Sequence, residues 1–473
     1  MGVVSCTKKE RQKKDEHPNI IYILADDLGY GDLSCYGQSK FETPNIDKLA
    51  KDGMLFTQHY SGSTVCAPSR SVLLTGKHTG HTFIRGNKEV RPEGQYPLQG
   101  SEVTLAEHLK EVGYVTGAFG KWGLGFPDSE GAPNNQGFDE FYGYNCQRLA
   151  HNHYPYYLWN NQTQDSLKGN RGQGAETYAP ELIHQKAMSF LERNRDTTFF
   201  IFYPTIIPHA ELSAPGPYMK KFIGTFPESH DKSTNSNSNK KGYKKNGGYS
   251  IQDKPHTAFA AMISLLDEQV GEIREKVEEL GIADKTLIIF TSDNGPHKEG
   301  GADPDYFKSN GKLRGYKRDL YEGGIRVPMI CYWPSTIKPN TISNHISAFW
   351  DVLPTLCEVA GKDTPPEDGD TDGISFLPEL RGTPQEKHFF LYWEFLEGGG
   401  KQAIRMEDWK GVRLNVHKNP HAPIELYNLK EDISEQTNLA RQYPNVIAQM
   451  DSIIKHEHLY SEEFSFKHEV QKN

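Results

Sequence analysis

Two pairs of oxygen-bearing side chains close two apolar runs that lie far apart in this chain. Asp26-Asp27 follows Ile20-Ile21-Tyr22-Ile23-Leu24-Ala25, and Asp293-Asn294 follows Leu287-Ile288-Ile289-Phe290-Thr291-Ser292. Three carboxylates and a carboxamide, with no Cys or His among them, suit a hard cation such as calcium better than zinc. Either pair alone reads as a turn or a helix cap. A third feature raises them to a candidate site: Cys66-Ala67-Pro68-Ser69-Arg70. Pro68 suits the start of a helix, and a helix N-terminus presents free backbone N–H groups and a partial positive charge to an anion.

The elements that must hold these residues are legible from pattern. Both apolar runs are short, β-branched or aromatic, and stopped by Gly-containing turns, so they read as buried parallel strands. Ligands in open α/β sheets sit at the carboxyl ends of such strands, which is where both pairs fall. Helical stretches alternate with strands: 104–112 before 114–119, 178–194 before 199–203, and 258–280 before 287–290. The fold class is therefore α/β, a central mixed, largely parallel sheet sandwiched by helices. After Gly382 the pattern changes to short strand-like pieces, 389–395 and 410–414, and a final helix at 443–457. The expected division is an N-terminal tether at 1–17, a catalytic domain at 18–382 and a C-terminal α+β subdomain at 383–473.

With these motifs in order, the chain resembles the type I sulfatases of the alkaline phosphatase superfamily from Pro18 to about Ala440. The landmarks are Asp26-Asp27-Leu28-Gly29, Thr43-Pro44-Asn45-Ile46-Asp47, Cys66 to Arg70 with Ser71 to Gly80, and Gly120-Lys121-Trp122. Pro208-His209, Asp293-Asn294-Gly295, Tyr321-Glu322-Gly323-Gly324-Ile325-Arg326, Glu425-Leu426-Tyr427-Asn428-Leu429 and Asn438-Leu439-Ala440 follow. The resemblance implies an alkaline phosphatase-like sheet and a small C-terminal antiparallel sheet. It also implies that Cys66 is oxidised to formylglycine (3-oxoalanine) by a maturation enzyme. The chemistry explains why an aldehyde serves. A serine or cysteine that attacked a sulfate ester would stay sulfated until water attacked sulfur. A hydrated aldehyde has two hydroxyls: one attacks sulfur, and proton loss from the other regenerates the aldehyde and expels sulfate.

The resemblance further implies that Ca2+ is held by Asp26, Asp27, Asp293, Asn294 and the residue made from Cys66. Arg70 anchors the hydrate, Lys121 and Lys317 bind sulfate oxygens, and His209 protonates the departing sugar oxygen. The chain departs from the pattern at Gly123. Many relatives carry a histidine two residues after the lysine, credited with helping sulfate elimination, where this chain reads Gly120-Lys121-Trp122-Gly123-Leu124-Gly125. His151, His153 and His297 are the candidates to replace it. The segment 143–159 is crowded with aromatics and histidines that suit sugar faces and hydroxyls. The candidate substrate-binding set is therefore Arg148, His151, His153, His297 and Arg314.

The implied reaction is hydrolysis of a carbohydrate O-sulfate, with the 4-O-sulfate of galactose or N-acetylgalactosamine as the specific expectation. The alternatives are a phosphodiester or phosphonate ester hydrolase of the same superfamily, and a sulfated-glycan-binding protein without catalysis. A formal charge of −9 over 473 residues argues against a surface that wraps nucleic acid. Six cysteines do not make a disulfide framework, and Cys35, Cys146, Cys331 and Cys357 read as buried thiols. No apolar stretch has transmembrane length. Residues 229–248 are polar and low in complexity, a surface insertion. Val3-Val4-Ser5-Cys6 resembles the end of a bacterial lipoprotein signal without an apolar stretch before it. The expectation is export to the periplasm or cell surface with a lipid anchor at Cys6.

Overall fold

A computed structural model describes residues 17–172, 174–228, 249, 252–362 and 371–470. Cys6, the charged tether and the insertion 229–248 lie outside the described residues. The first strand, β1 (Asn19–Ala25), is buried along its whole length. Ile20, Tyr22 and Leu24 enter one hydrophobic core while Ile21, Ile23 and Ala25 enter a second. A strand apolar on both faces must be covered on both. The helices Cys66–Thr75, Leu105–Glu111 and Val352–Val359 supply Leu73, Leu109 and Leu356 to the first core. Ala179–Arg193 and Pro255–Glu279 supply Phe190 and Leu266 to the second.

The sheet continues through β2 (Met54–Tyr60), β3 (Val115–Lys121), β4 (Glu140–Tyr144), β5 (Tyr157–Asn160) and β6 (Thr163–Ser166). Its later strands are β7 (Phe199–Pro204), β8 (Thr286–Ser292), β9 (Arg326–Tyr332), β10 (Thr341–Ser343) and β11 (Ser347–Ala348). The spatial order is β10-β2-β9-β8-β1-β7-β3-β4-β5-β6, with β11 also on β2. The centre, β8-β1-β7-β3-β4, is parallel, so these strands present their carboxyl ends at one edge. In β1 and β8, Ala25 pairs with Ser292, which sets Asp26 beside Asp293. Antiparallel β9, β5 and β6 make the sheet mixed.

The remaining strands, β12 (Leu391–Phe395), β13 (Lys401–Met406), β14 (Trp409–Leu414) and β15 (Ile424–Asn428), form a separate antiparallel sheet. The helix Pro444–Glu457 covers it through Met450 and Ile454. Sequence pattern predicts two of these strands; β13 and β15 are additional. Among the described cysteines Cys146, Cys331 and Cys357 are buried thiols as expected, but Cys35 is only partly buried.

A buried polar junction joins the two sheets. Lys410 of β14 donates to Glu322 Oε1 at 2.8 Å, and both side chains are fully buried. Tyr60 and Arg326 donate to the other oxygen at 2.6 and 3.2 Å. Burial alone would push the Glu322 carboxyl up, but Lys410, Arg405 and Arg326 hold it below the usual carboxylate range. Lys410→Met is expected to cost about 3 kcal/mol or more in denaturant unfolding, because a desolvated carboxylate loses its nearest cation. Adding Glu322→Gln should restore part of that loss; equal stability of Lys410→Met and wild type would refute the account.

A second clasp is pH-dependent. His458 sits between Glu394, 2.7 Å from Nδ1, and Glu469, 2.6 Å from Nε2. Two acceptors are satisfied only by the imidazolium, which has two donors. Burial alone would lower the His458 pKa, but the two carboxylates raise it to about 9. The folded value lies above the ordinary 6.5, so this contribution is complete below about pH 6.5 and lost as pH rises through about 9. The Tm gap between wild type and His458→Gln should be widest near pH 6 and close towards about pH 10. A gap independent of pH would contradict this.

Candidate active site

Asp26 and Asp293 leave adjacent strands, and Asp293 is tied to the backbone on either side of Asp26. The Asp293 N–H donates to Ala25 O at 3.0 Å, and the Asp27 N–H donates to Asp293 Oδ1 at 3.0 Å. Asp27 has φ 64°, in the left-handed region that Asp tolerates better than most residues. Gly295 then passes so close to the Tyr321–Arg326 motif that a Cβ would lie 1.9 Å from Gly323 O. The Gly295 N–H donates to Gly324 O at 3.0 Å. That motif is therefore the brace behind Asp293-Asn294.

Cys66 opens the helix Cys66–Thr75. The Ala67 N–H, one of the helix's first free donors, bonds Asn87 Oδ1 at 3.0 Å. The Cys66 thiol donates to Asp26 Oδ1 at 3.3 Å and lies 3.4 Å from Lys121 Nζ. Burial pushes this thiol well up, with Asp26 and Asp293 adding to the effect. A reactive cysteine thiolate has the opposite environment. One turn on, Arg70 Nε and Nη2 both reach Asp293 Oδ2, at 3.2 and 2.8 Å. Its Nη1 donates to Lys121 O.

Lys121 ends β3 and donates to Asp26 Oδ2 at 2.6 Å. Lys317 reaches from the loop before β9 to Asp27 Oδ2, at 2.8 Å. Three carboxylates and three cations thus interlock in a buried cluster. Burial raises the Asp26 pKa, but Lys121, Arg70 and Lys317 outweigh it and hold this carboxyl below the usual range. Asp293 is pushed up by burial and by Asp26.

His209 follows β7. Its Nδ1 lies 2.5 Å from Ala210 O and must donate to it, because a carbonyl only accepts. Nε2 is then left facing Lys317 Nζ at 3.2 Å and Asp27 Oδ2 at 3.4 Å. Burial lowers the His209 pKa, and Lys317 and Lys121 lower it further. His151 and His297 stack on this ring at 5.0 and 5.5 Å and fix its plane.

The donor set fits a hard cation. One ligand atom each from Asp26, Asp27, Cys66 and His209 lies within 4.8 Å of all the others. Asn294 Nδ2 donates to Asp27 Oδ1 at 2.7 Å, while its buried Oδ1 has no hydrogen-bond partner among the described residues. A leftover buried carbonyl oxygen is a typical calcium ligand. Asp293 faces Asp27 N and Arg70.

Above this cluster lies a cavity of about 320 Å³, bounded at its buried side by Cys66, His209 and Lys317. Arg148 and His151 line it, as the sequence suggests. Arg148 is paired with Glu89 at 2.7 Å, and Arg318, also lining, is paired with Glu299. Three expected residues do not line it. His153 is fully buried, 3.2 Å from the Tyr178 hydroxyl. His297 lies behind His209, its Nε2 3.3 Å from Pro208 O. Arg314 stacks on Tyr321 at 3.8 Å and donates to Tyr427 and to Glu435 O, so it serves the junction with the small sheet. Gln95, Gln147 and Tyr249 also line the cavity; none is a named sequence candidate, although Gln147 falls within the segment 143–159.

Gly123 has φ 82°, and a Cβ there would lie 2.1 Å from Gln147 Nε2. The space beside Gly123 therefore belongs to Gln147.

Comparison with known proteins gives the family and the fold. The family described as Sulfatase matches residues 18–362, and one described as N-sulphoglucosamine sulphohydrolase, C-terminal, matches 314–459. The chain is 31% identical over 393 residues to the N-acetylgalactosamine-6-sulfatase of Homo sapiens, covering 79% of this chain and 68% of that protein. It is 29% identical to the N-acetylgalactosamine-6-O-sulfatase of Bacteroides thetaiotaomicron, covering 96% of each. Among solved structures, Ps i-CgsB in complex with k-i-k-neocarrahexaose superposes with a TM-score of 0.77 at 26% identity, covering 94% of each chain. The phosphonate monoester hydrolase of Agrobacterium radiobacter, at 22% identity and a TM-score of 0.65, shares the fold. The alkaline phosphatase-like sheet and the matching family together identify this chain as a member of the sulfatase family, a sulfuric ester hydrolase.

Proposed function

We propose that the chain removes sulfate from an O-sulfated sugar, galactose or N-acetylgalactosamine, with Cys66 matured to formylglycine as its nucleophile. The carrying observation is the buried convergence of Asp26, Asp27, Asp293, Arg70, Lys121 and Lys317 around Cys66 at the bottom of a cavity the size of a small sugar. The names of relatives support the sugar class. They carry the 6-position, while the sequence expectation is the 4-position, so the two isomers are compared directly below.

Calcium would be held by Asp26, Asp27, Asp293, Asn294 and the matured residue 66, where it would supply positive charge to the sulfate and to the attacking oxygen. The protein's three carboxylates and three cations balance, so a divalent ion leaves the site positive toward a monoanionic ester. In this reading Lys121 and Lys317 bind sulfate oxygens and stabilise charge as the S–O bond breaks. Arg70, fixed by Asp293, orients residue 66. His209 gives the proton to the departing sugar oxygen from Nε2, which first takes it up from water, since Nδ1 keeps its own proton on Ala210 O. Residues 18–382 carry this chemistry and 383–473 brace it, a division supported by the Glu322–Lys410 pair and by Trp393 Nε1 donating to Ser61 O at 3.0 Å. A maturation enzyme is a required partner. Export belongs to the same reading, with the lipid attachment at Cys6 resting on the residues Val3 to Cys6.

The test is peptide mass spectrometry across Cys66 on protein from its native host, with sulfate release from the 4-O- and 6-O-sulfated forms of both sugars. Aldehyde at residue 66, and release that chelation removes and calcium restores, are expected. Unmodified cysteine in native protein, or faster hydrolysis of a phosphodiester, would overturn the proposal.

A further inference from the structure

We infer that Gln147 is a substrate-contacting residue: its carboxamide N–H donates to an oxygen of the sulfate group and its carbonyl accepts from a sugar hydroxyl. The inference rests on the sulfatase reading of the pocket and adds a residue that this reading does not assign.

Three observations meet at this side chain. Gln147 is buried, 7% exposed, yet neither Nε2 nor Oε1 has a hydrogen-bond partner among the described residues. A carboxamide offers two donors and an acceptor, and leaving both ends unmet in a buried place is costly enough that few native side chains do so. The same side chain lines the cavity that Cys66, His209 and Lys317 line, so a ligand that fills the cavity meets the amide. Its place is also built. The Gln147 N–H donates to Gln95 Oε1 at 3.2 Å. The neighbouring Asn145 carbonyl accepts from the Gly123 N–H at 3.1 Å, which brings the segment after β4 against the segment after β3. Gly123 has no side chain where a Cβ would strike Nε2, so the glycine makes the room that the glutamine fills.

The chemistry favours an oxyanion with hydroxyls beside it. The cavity's arginines already face carboxylates, Arg148 with Glu89 and Arg318 with Glu299. A neutral amide adds a donor for a sulfate oxygen without another charge. It also keeps an acceptor, which Lys121 and Lys317 cannot offer to a sugar hydroxyl. A carboxamide neither takes nor gives a proton in the working pH range, so Gln147 positions and stabilises and does not transfer a proton.

The test compares Gln147→Ala, Gln147→Met and Gly123→Ala in the calcium-loaded, matured protein. Methionine keeps the length and volume of glutamine and removes its hydrogen bonds. Both Gln147 variants should lose about 30-fold or more in kcat on a sulfated monosaccharide, with Tm and the shape of the pH profile unchanged. Gly123→Ala should lose activity by displacing Gln147, and should add little when Gln147 is already alanine. In a Cys66→Ala background, where no turnover occurs, Gln147→Met should weaken binding of the same sulfated sugar about tenfold by calorimetry. Methionine at wild-type kcat and affinity would reduce Gln147 to packing and overturn the inference. Additive losses from Gly123→Ala and Gln147→Ala would overturn the linkage between the two positions. If wild-type matured protein releases no sulfate from any ester, the sulfatase reading itself has failed, a result separate from either of these.

Discussion

Alanine at Cys66 is expected to reduce sulfate release by about 10⁵-fold or more, the scale seen when an obligatory nucleophile is removed. The change should leave the fold intact. Cys66 is a small side chain at the start of a helix whose other anchors, the Ala67 N–H on Asn87 and Ser69 on Asp293 O, do not involve sulfur. Serine at the same position separates a simple hydroxyl from a hydrated aldehyde. One hydroxyl suffices to attack sulfur, but none remains on that carbon to expel the product, so Cys66→Ser should gain the mass of SO3 as a serine sulfate ester and stall after a single turnover. Ion chromatography of released sulfate and intact mass of the protein measure both outcomes. Multiple turnovers by Cys66→Ser, or alanine retaining activity within about tenfold of wild type, would show that residue 66 is not the attacking group.

Much of this site is legible because its supports are strands with unambiguous pattern. Ile20–Ala25 and Leu287–Ser292 are apolar on both faces, which only a doubly covered parallel sheet accommodates, and their register alone puts Asp26 next to Asp293. The small sheet is half legible for the opposite reason. Strand β13 carries Gln402 and Arg405, which read as surface residues, yet both are buried: Gln402 donates to the Tyr392 hydroxyl of the neighbouring strand and Arg405 to the Tyr60 hydroxyl across the junction. Arg314 shows the limit of reasoning from charge: a cation near Lys317 in sequence is turned away from the cavity by the faces of Tyr321 and Tyr427. Gln147 falls in the segment 143–159 and Gly123 stands out as a departure, but nothing in the sequence pairs the two, because their contact depends on how the connections after β3 and β4 meet.

The histidines divide in the same way. His151, His153 and His297 share a residue type suited to proton work, but only His151 lines the cavity, stacked on His209. His297 supports the ring from the other side, and His153 packs below against Tyr178. The structure thus assembles one imidazole with a nitrogen facing the cavity and Lys317, held by flanking rings that limit its rotation.

That arrangement leads to an expected result at His209 that depends on the leaving group. A sugar alkoxide departs poorly and needs a proton as the S–O bond breaks, whereas a nitrophenolate departs without one. His209→Ala should therefore lose about 10³-fold in kcat/KM on a sulfated monosaccharide and only about tenfold or less on nitrophenyl sulfate. The split follows from geometry. Ala210 O holds Nδ1–H, so Nε2, 3.2 Å from Lys317 Nζ, is the nitrogen that must take up a proton and pass it to the substrate oxygen. Lys317→Ala supplies the contrast, since a sulfate-binding cation should be missed by both substrates alike. Steady-state kinetics on the two esters, with calcium content and residue 66 maturation matched across variants, decides the matter. Equal losses on both substrates for His209→Ala would assign this imidazole to holding Asp27 and Lys317 in place and leave the proton to another group.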